Sequence, residues 1–233
     1  MNGEIETKLK KVGAARVGFA DLAQLPEGPR RGFPRAVCAA VALDPKVISR
    51  IPEGPFSDYD EEYVRRNTQL DNMGMSLEGW LREKGYGAFA LTRERFPYSA
   101  DTGYSTPLPH KTVARLSGFG WIGKGAVLVT KEYGTAVRLT TVLTDAPFAT
   151  GRPVQGLGCG SCTACETACP AGAIRGESWQ QGMDREVLVD AAACDTALQN
   201  RKKGTEIRHA ACGLCLAACP HTRQYLKREG ALG

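Results

Sequence analysis

Eight of the nine cysteines lie between residues 159 and 219, in two runs whose spacing suits iron–sulfur chemistry. The first run is Cys159-Gly-Ser-Cys162-Thr-Ala-Cys165-Glu-Thr-Ala-Cys169-Pro170, which follows the pattern C-x₂-C-x₂-C-x₃-C-P. Three thiolates with two residues between each can wrap one [4Fe–4S] cluster in a tight turn. The fourth thiolate lies beyond the reach of that cluster and ligates a second one. The proline that follows suits the first turn of a helix, where its missing N–H costs nothing.

The second run, Cys212-Gly-Leu-Cys215-Leu-Ala-Ala-Cys219-Pro220, is an incomplete copy of the first. His209 occupies the place of its missing first cysteine, and Cys194 lies far enough upstream to supply a thiolate through a loop. We therefore predict two [4Fe–4S] clusters, with His209 in place of Cys194 as the alternative ligand. The predicted ligands are Cys159, Cys162, Cys165 and Cys219 for one cluster, and Cys169, Cys194, Cys212 and Cys215 for the other.

A zinc site is the competing use of these thiols. A Cys₄ zinc site needs two C-x-x-C pairs, and its tetrahedral geometry has no use for the C-x-x-x-C-P extensions. The pattern therefore favours clusters over zinc. Cys38, the ninth cysteine, lies inside an apolar run, and we expect it to be a small core residue.

A glycine motif, Gly118-Phe-Gly120-Trp-Ile-Gly123, has the spacing G-x-G-x-x-G of dinucleotide-binding proteins. That function requires a strand before the glycines and a helix after them, so that the pyrophosphate meets a helix N-terminus. Here the order is inverted, because a helical stretch precedes the motif and a strand follows it. The motif favours a loop that lets a flat ligand approach the backbone, with Lys124 beside it. A plain tight turn around a core tryptophan is the alternative.

These motifs need elements to position them, and the pattern predicts an α/β domain over residues 1–150 and a small ferredoxin-like domain over 151–233. The Gly- and Pro-rich stretch 146–156 predicts the linker between the two domains. Apolar periodicity predicts helices at 4–12, 60–84 and 111–117, and strands at 35–43, 88–91, 126–130 and 137–143.

Composition sets further limits. The chain has 233 residues with 42% hydrophobic and 24% charged, as expected for a globular protein. No apolar run approaches the roughly 20 residues that cross a bilayer, so we expect no membrane association. The N-terminus lacks the features of a secretory signal, which predicts a cytoplasmic location, where clustered thiols bind metal rather than form disulfides. The net charge of +5 is not taken as a sign of nucleic-acid binding, because thiolate-bound clusters are negative and balance part of it.

The stretch from His110 to Lys124, HKTVARLSGFGWIGK, together with LTDAP at 143–147 and the two cysteine runs, resembles epoxyqueuosine reductase. Reductive dehalogenases share the same plan. The resemblance implies a nitroreductase-like α/β domain of the cobalamin-binding type, joined to the two-cluster module. It also implies base-off cobalamin, without a histidine lower ligand of the D-x-H-x-x-G type. The implied cobalamin contacts are Gly118, Gly120, Trp121, Ile122, Gly123 and Lys124.

The same resemblance implies reduced ferredoxin or flavodoxin as the electron donor. FMN is the alternative cofactor, since nitroreductase-like domains often hold it. Epoxyqueuosine reductases carry an acidic proton donor ahead of this helix, and reductive dehalogenases a tyrosine. An ungapped count places Tyr104 at that position, and a three-residue shift places Asp101 there.

Epoxyqueuosine reductases usually continue past the clusters into sequence that helps hold tRNA, whereas this chain ends soon after Cys219. On that ground we expect a corrinoid-dependent reductase of a small molecule and no nucleic-acid partner. One alternative is an electron-transfer or corrinoid-handling protein that serves another corrinoid protein and has no substrate of its own. The other alternative is a minimal epoxyqueuosine reductase that acts on tRNA.

Overall fold

The computed structural model describes residues 1–54, 57–97, 99–155, 158–209 and 212–233. The strands among these residues are β1 (Arg16–Asp21), β2 (Arg35–Ala42), β3 (Ala88–Ala90), β4 (Gly120–Ile122), β5 (Leu128–Thr130) and β6 (Val137–Thr144). The helices are α1 (Asn2–Lys11), α2 (Glu27–Arg30), α3 (Pro45–Arg50), α4 (Ser57–Glu83), α5 (His110–Leu116), α6 (Ala164–Thr167), α7 (Arg185–Leu188), α8 (Ala191–Lys202), α9 (Leu214–Ala218) and α10 (Pro220–Arg228). The chain is thus a mixed α/β protein, as predicted.

Two compact units share the chain, and each is assembled from separate stretches of sequence. The sheet unit comprises Met1–Ala42, Asn67–Gly120 and Arg138–Gln155. The cysteine unit comprises Leu43–Arg66, Trp121–Val137 and Gly156–Gly233. The domain boundary near residue 150 stays a prediction. The structure also shows that residues 43–66 and 121–137 pack with the cysteine-rich residues.

The sheet unit is built on a four-stranded sheet with the order β1-β2-β6-β3. Strands β1 and β2 pair antiparallel, as do β3 and β6. The long helix α4 contributes apolar residues at helical spacing to the core of this unit, where Leu70, Met73, Leu77 and Leu81 are buried. Their spacing had predicted this helix, which extends three residues further towards the N-terminus than expected.

Strand β2 is buried along nearly its whole length, in agreement with its continuous apolar sequence. Six consecutive residues of the strand are buried, as expected when both faces of a strand are covered. Cys38 lies in this run with no exposed surface, and its burial raises the pKa of the thiol to about 12. The thiol is therefore an inert core group, as its sequence context had indicated.

The cysteine unit depends on a second apolar core and on short helices. Leu43, Ile48, Tyr225 and Leu226 are buried together, and the Tyr225 hydroxyl donates a hydrogen bond to the Leu43 carbonyl at 2.9 Å. The turn after β5 is tied to α10, because the Thr135 N–H donates to the Thr222 hydroxyl at 3.0 Å. This contact fixes the start of α10, which follows directly after Cys219.

Sequence patterns missed several elements of the described chain, among them β1, β4 and α8. Strand β1 has Gly18 at its centre, where Ser117 and Phe119 pack so closely that a side chain would overlap them. A glycine in the middle of a short run weakens the strand signal. Strand β4 has only three residues and lies within the glycine motif. Helix α8 buries none of its side chains completely, so it lacks a clear apolar face.

The predicted linker is irregular in structure but lies against the sheet unit. The Gly151 N–H donates to the Phe19 carbonyl at 2.7 Å, and the rings of Phe148 and Phe19 lie 5.0 Å apart. Asn2 adds hydrogen bonds to both backbone groups of Ala149. Residues 146–155 are thus part of this unit, in agreement with their glycine-rich sequence but not with a free tether. Among the described residues, no helix is long and apolar enough to cross a membrane.

His110 gives the sheet unit a pH dependence. Burial and, to a smaller extent, the nearby Arg138 lower the pKa of His110 to about 4, against the opposite effect of Asp71. Between pH 4 and 6.5 the unfolded chain therefore binds a proton at this position that the folded chain does not bind, so that stability falls as the pH falls. We expect urea unfolding of the wild type to show a loss of about 2 kcal/mol between pH 7 and pH 5 that His110→Gln lacks. Equal losses in both proteins would contradict this assignment.

Candidate iron–sulfur centres

Four of the predicted ligands converge in the cysteine unit and are here termed the first cysteine group: Cys159, Cys162, Cys165 and Cys219. Cys159 and Cys162 lie in the turn before α6, where the Cys162 N–H donates to the Cys159 carbonyl at 3.0 Å. Cys165 lies in α6, and Cys219 lies between α9 and α10. All four line one cleft of about 190 Å³.

The other four predicted ligands form the second cysteine group: Cys169, Cys194, Cys212 and Cys215. Cys169 follows α6, Cys194 lies in α8, and Cys215 lies in α9. Desolvation and the neighbouring Cys169 and Cys212 thiols raise the pKa of Cys194. Cys194, which is exposed, thus joins this group rather than standing apart. The eight cysteines thus lie near one another, and their division into two ligand sets stays a prediction.

The electrostatics of both groups favour a positively charged occupant. Burial raises the pKa of Cys165, and the Cys159 thiol raises it further. The pKa of Cys215 rises to about 12, because the thiol is buried and faces Cys194 and Cys212. Four thiolates this close together would repel one another unless iron offset their charge. Iron binding therefore displaces the protons.

Backbone groups already donate to thiol sulfurs in both groups. The Ala173 N–H donates to Cys169 Sγ at 3.3 Å. The N–H groups of His221 and Thr222 and the Thr222 hydroxyl face Cys219 and lower its pKa, partly offsetting the effect of burial. These donors result from the position of Cys219 immediately before α10, whose first N–H groups have no partner within the helix. Such donors stabilise thiolates that ligate clusters, and the eight cysteines therefore fit two [4Fe–4S] clusters.

The two groups are neighbours. Helices α6 and α9 pack against each other, and Cys165 of the first group lies close enough to Cys215 of the second to raise its pKa. Cys215 also lines the cleft of the first group. Two clusters in these positions would be adjacent, an arrangement that suits electron transfer from one to the other.

Residues 123–125, here termed the glycine loop, lie beside the first cysteine group. A Cβ atom on Gly123 would lie 3.3 Å from Cys159 Sγ, and one on Gly125 would lie 4.0 Å from Cys165 Sγ. Trp121 and Lys124, each 7% exposed, line the same cleft. The absence of side chains at the two glycines allows the backbone to approach the thiols closely. The approach of a flat ligand to this loop stays a prediction.

The predicted cobalamin contacts do not all lie in the same part of the structure. Trp121, Gly123 and Lys124 line the cleft, whereas Gly118 and Gly120 belong to the sheet unit. A Cβ on Gly118 would lie 2.8 Å from the Arg152 carbonyl oxygen, so that this glycine serves local packing. The cleft, at about 190 Å³, is smaller than the 300–1,000 Å³ typical of drug-sized ligands.

His209 takes no place in either cysteine group. Its ring is exposed, and both its N–H and its Nδ1 atom contact Asp60, at 2.7 and 3.4 Å. The proposed histidine ligand is thus less consistent with the structure than Cys194. Among the described residues, no three His, Cys, Asp or Glu side chains converge as a single metal ion would require. The assignment of clusters rests on the two groups themselves.

The predicted proton donors lie in one turn of the sheet unit. Asp101 is exposed, and Tyr104 is partly buried with φ of 53°. The Tyr104 N–H donates to the Ser99 carbonyl at 2.8 Å, which closes the turn. A left-handed backbone at a residue other than glycine is uncommon and is frequent at functional sites.

Eight grouped cysteines in a unit of short helices define the class of this protein as a double-cluster iron–sulfur protein. Residues 158–222 match the family described as the 4Fe-4S double cluster binding domain, and all eight cysteines lie inside the match. Over most of its length the chain is similar to a particular enzyme. It is 31% identical to the epoxyqueuosine reductase of Vibrio cholerae over 222 residues, which cover 91% of this chain and 51% of that protein.

Solved structures show the same fold. An epoxyqueuosine reductase bound to an epoxyqueuosine-modified tRNA stem loop has a TM-score of 0.59 at 21% identity, covering 95% of this chain and 65% of that one. A reductive dehalogenase, whose structure suggests a mechanism for B12-dependent dehalogenation, has a TM-score of 0.68 at 16% identity, covering 97% and 33%. The predicted resemblance is confirmed. The chain spans about half the length of the curated relatives that it matches.

We expect Gly123→Ala to weaken the site of the first cysteine group. The added methyl would lie 2.8 Å from Val129 Cγ2 and 3.3 Å from Cys159 Sγ. Overpacking of this kind costs about 1–3 kcal/mol. If cluster release relieves this strain, a chelator should remove one cluster roughly tenfold faster than from the wild type, measured by loss of visible absorbance.

Two alanine variants provide matched controls. A Cβ on Gly125 makes contacts of 3.6 Å or more, and a Cβ on Gly158, next to Cys159, meets nothing within 4 Å. Both variants should release iron at the wild-type rate. If Gly123→Ala behaves like these two, the glycine loop does not lie against the cluster.

Proposed function

We propose that this chain is an iron–sulfur reductase of the epoxyqueuosine reductase type, which uses two [4Fe–4S] clusters to deliver electrons for removal of the epoxide oxygen from a modified tRNA nucleoside. The observation that carries this proposal is the convergence of eight cysteines into two adjacent groups, in a chain similar to epoxyqueuosine reductase over 91% of its length. A [4Fe–4S] cluster, when bound, supplies one-electron transfer. Loss of an epoxide oxygen as water takes two electrons and two protons, so two cycles of single-electron delivery complete it.

The positions of the cysteines support a direction for electron flow. The second cysteine group includes the exposed Cys194, whereas the first group lines the cleft with the buried Trp121 and Lys124. Electrons from reduced ferredoxin or flavodoxin would therefore enter at the second group and pass, near Cys165 and Cys215, to the first. A cytoplasmic location, where such donors and tRNA meet, is part of the proposal.

Cobalamin is the proposed second cofactor, and it rests on similarity. The dehalogenase of the same fold carries out B12-dependent dehalogenation, and the nitroreductase-like, cobalamin-binding character of the sheet unit is inferred with it. Bound cobalamin would supply a redox-active cobalt that accepts electrons singly. The comparisons give no support to FMN.

The expected small-molecule substrate has less support than tRNA. The likeness to the dehalogenase, at 16% identity, shows the fold alone, whereas the named relatives are epoxyqueuosine reductases. One such enzyme was crystallised with an epoxyqueuosine-modified tRNA stem loop. The expectation of no nucleic-acid partner is therefore not supported.

A direct assay tests the proposed function. Full-length protein, reconstituted anaerobically with iron, sulfide and cobalamin, is given a low-potential reductant and an epoxyqueuosine-modified tRNA stem loop. We expect mass spectrometry to show loss of one oxygen atom from the nucleoside, and omission of the clusters to abolish it. Reduction of a halogenated phenol with no change in the stem loop would instead support the small-molecule substrate. No reaction with either, from protein with both clusters and cobalamin bound, would favour the electron-transfer alternative.

The two candidate proton donors are distinguished by removing each in turn. Asp101→Asn removes a carboxyl group that the epoxyqueuosine resemblance implies, and Tyr104→Phe removes a phenol of ordinary pKa about 10 that the dehalogenase resemblance implies. General acids contribute typically 10²- to 10⁴-fold. We expect the true donor's variant to lose at least about 100-fold in turnover of the stem loop, and the other variant to lose little. Full activity in both single variants and in the double variant would exclude both residues.

A further inference from the structure

The indole N–H of Trp121 is a buried donor with no hydrogen-bond partner. The residue is 7% exposed and lines the cleft of the first cysteine group. Leaving such a donor unpaired costs about 1–3 kcal/mol, and native proteins rarely do so without a reason. The missing partner is therefore expected to be a group that occupies the cleft.

We propose that Trp121 Nε1–H donates a hydrogen bond to a sulfur of the [4Fe–4S] cluster held by Cys159, Cys162, Cys165 and Cys219, and that this bond raises the reduction potential of that cluster. The proposal rests on the cluster assignment made above, but not on the substrate or on cobalamin. It gives Trp121 a role different from the predicted contact with a corrinoid.

The surroundings of Trp121 hold the ring in place. Its strand, β4, ends at the glycine loop, whose close approach to Cys159 Sγ places the backbone beside the thiols. The imidazole of His221 meets the indole edge to face, with ring centres 5.1 Å apart and planes at 81°. A ring packed in this way keeps one orientation, so the direction of its N–H is set before a cluster binds.

Other polar side chains of the cleft do not replace this donor. The Thr135 hydroxyl is already engaged with the Leu216 carbonyl and the Thr222 hydroxyl, at 3.1 and 3.0 Å. The positive charge of Lys124 would also raise the reduction potential of the cluster, but a charge does not require the defined geometry of a hydrogen bond. Among the described residues that line the cleft, Trp121 Nε1 is the buried side-chain donor that lacks a partner.

The effect on the potential follows from charge. Reduction adds an electron to an already negative cluster, and a hydrogen bond to a sulfur becomes stronger as that sulfur becomes more negative. The bond therefore stabilises the reduced state more than the oxidised state. Hydrogen bonds to the sulfurs are among the factors that set cluster potentials. In this cleft, whose lining is mainly apolar, the difference is larger than it would be in water.

The experiment is a redox titration of the anaerobically reconstituted full chain, followed by electron paramagnetic resonance. Iron and sulfide are first counted to show that both clusters are present. We expect Trp121→Phe to shift one of the two midpoint potentials to a more negative value, by about 59 mV for a tenfold change in the one-electron equilibrium. The other potential should stay unchanged.

Two further proteins keep the result interpretable. Trp80→Phe removes a partly buried tryptophan of the sheet unit and should leave both potentials unchanged. Replacing Trp121 with benzothienylalanine keeps the ring shape but exchanges N–H for sulfur, and it should reproduce the negative shift without loss of packing.

The outcomes separate this proposal from the cluster assignment. Unchanged potentials in both Trp121 variants, with full iron content, would overturn the hydrogen bond and leave the clusters intact. Wild-type protein that binds no iron would overturn the cluster assignment and this inference with it. A shift in the benzothienylalanine protein supports the hydrogen bond even if Trp121→Phe fails to hold its cluster.

Discussion

Mutual repulsion among buried thiolates is the constraint on which this protein depends. Burial and close neighbours raise the pKa values of Cys165, Cys194 and Cys215, so that the free thiols stay protonated until iron replaces the protons. The fold must hold the sulfur atoms close together despite the repulsion among their thiolates. It does so with short helices whose ends direct N–H groups at Cys169 and Cys219, and with glycines that let the backbone approach Cys159. Metal binding and folding of the cysteine unit are therefore expected to be coupled.

The crosswise sharing of ligands explains why the unit draws on distant parts of the chain. In the predicted assignment, Cys169 of the first run belongs to the second group and Cys219 of the second run belongs to the first group. Each group therefore needs residues from both runs. Residues 43–66 and 121–137 complete the enclosure, the first by joining the apolar core of the unit and the second by lining the cleft. Residues 121–123, the second half of the glycine motif that suggests a nucleotide site from its spacing alone, are part of this enclosure.

Sequence patterns predicted the parts of the structure that depend on local regularity. The cysteine spacing indicated that thiols of the two runs lie near one another, and the apolar periodicity of α4 indicated its buried face. Patterns failed where long-range packing decides. Strand β1 depends on Gly18 fitting against Phe119, and the contact of the glycine loop with Cys159 arises from residues 36 positions apart in the chain. The unpaired N–H of Trp121 could not be found from sequence, because it is a property of packing around one atom.

The expectation of a small-molecule substrate is less well supported than the tRNA alternative. It rested on the length of the chain after Cys219, whereas the similarity to epoxyqueuosine reductase extends across most of the residues present. The fold is shared with dehalogenases and therefore does not choose the substrate. Asp101 and Tyr104 stay predicted proton donors, because local structure alone does not assign their roles.

Crosswise sharing of ligands by two [4Fe–4S] clusters can be tested by iron and sulfide analysis with Mössbauer spectroscopy, applied to oxygen-free wild type, Cys219→Ser and Cys194→Ser. We expect about eight irons and about eight sulfides in the wild type, with each variant disturbing a different one of two cluster signals. Far fewer irons without sulfide, or the same cluster disturbed in both variants, would contradict it.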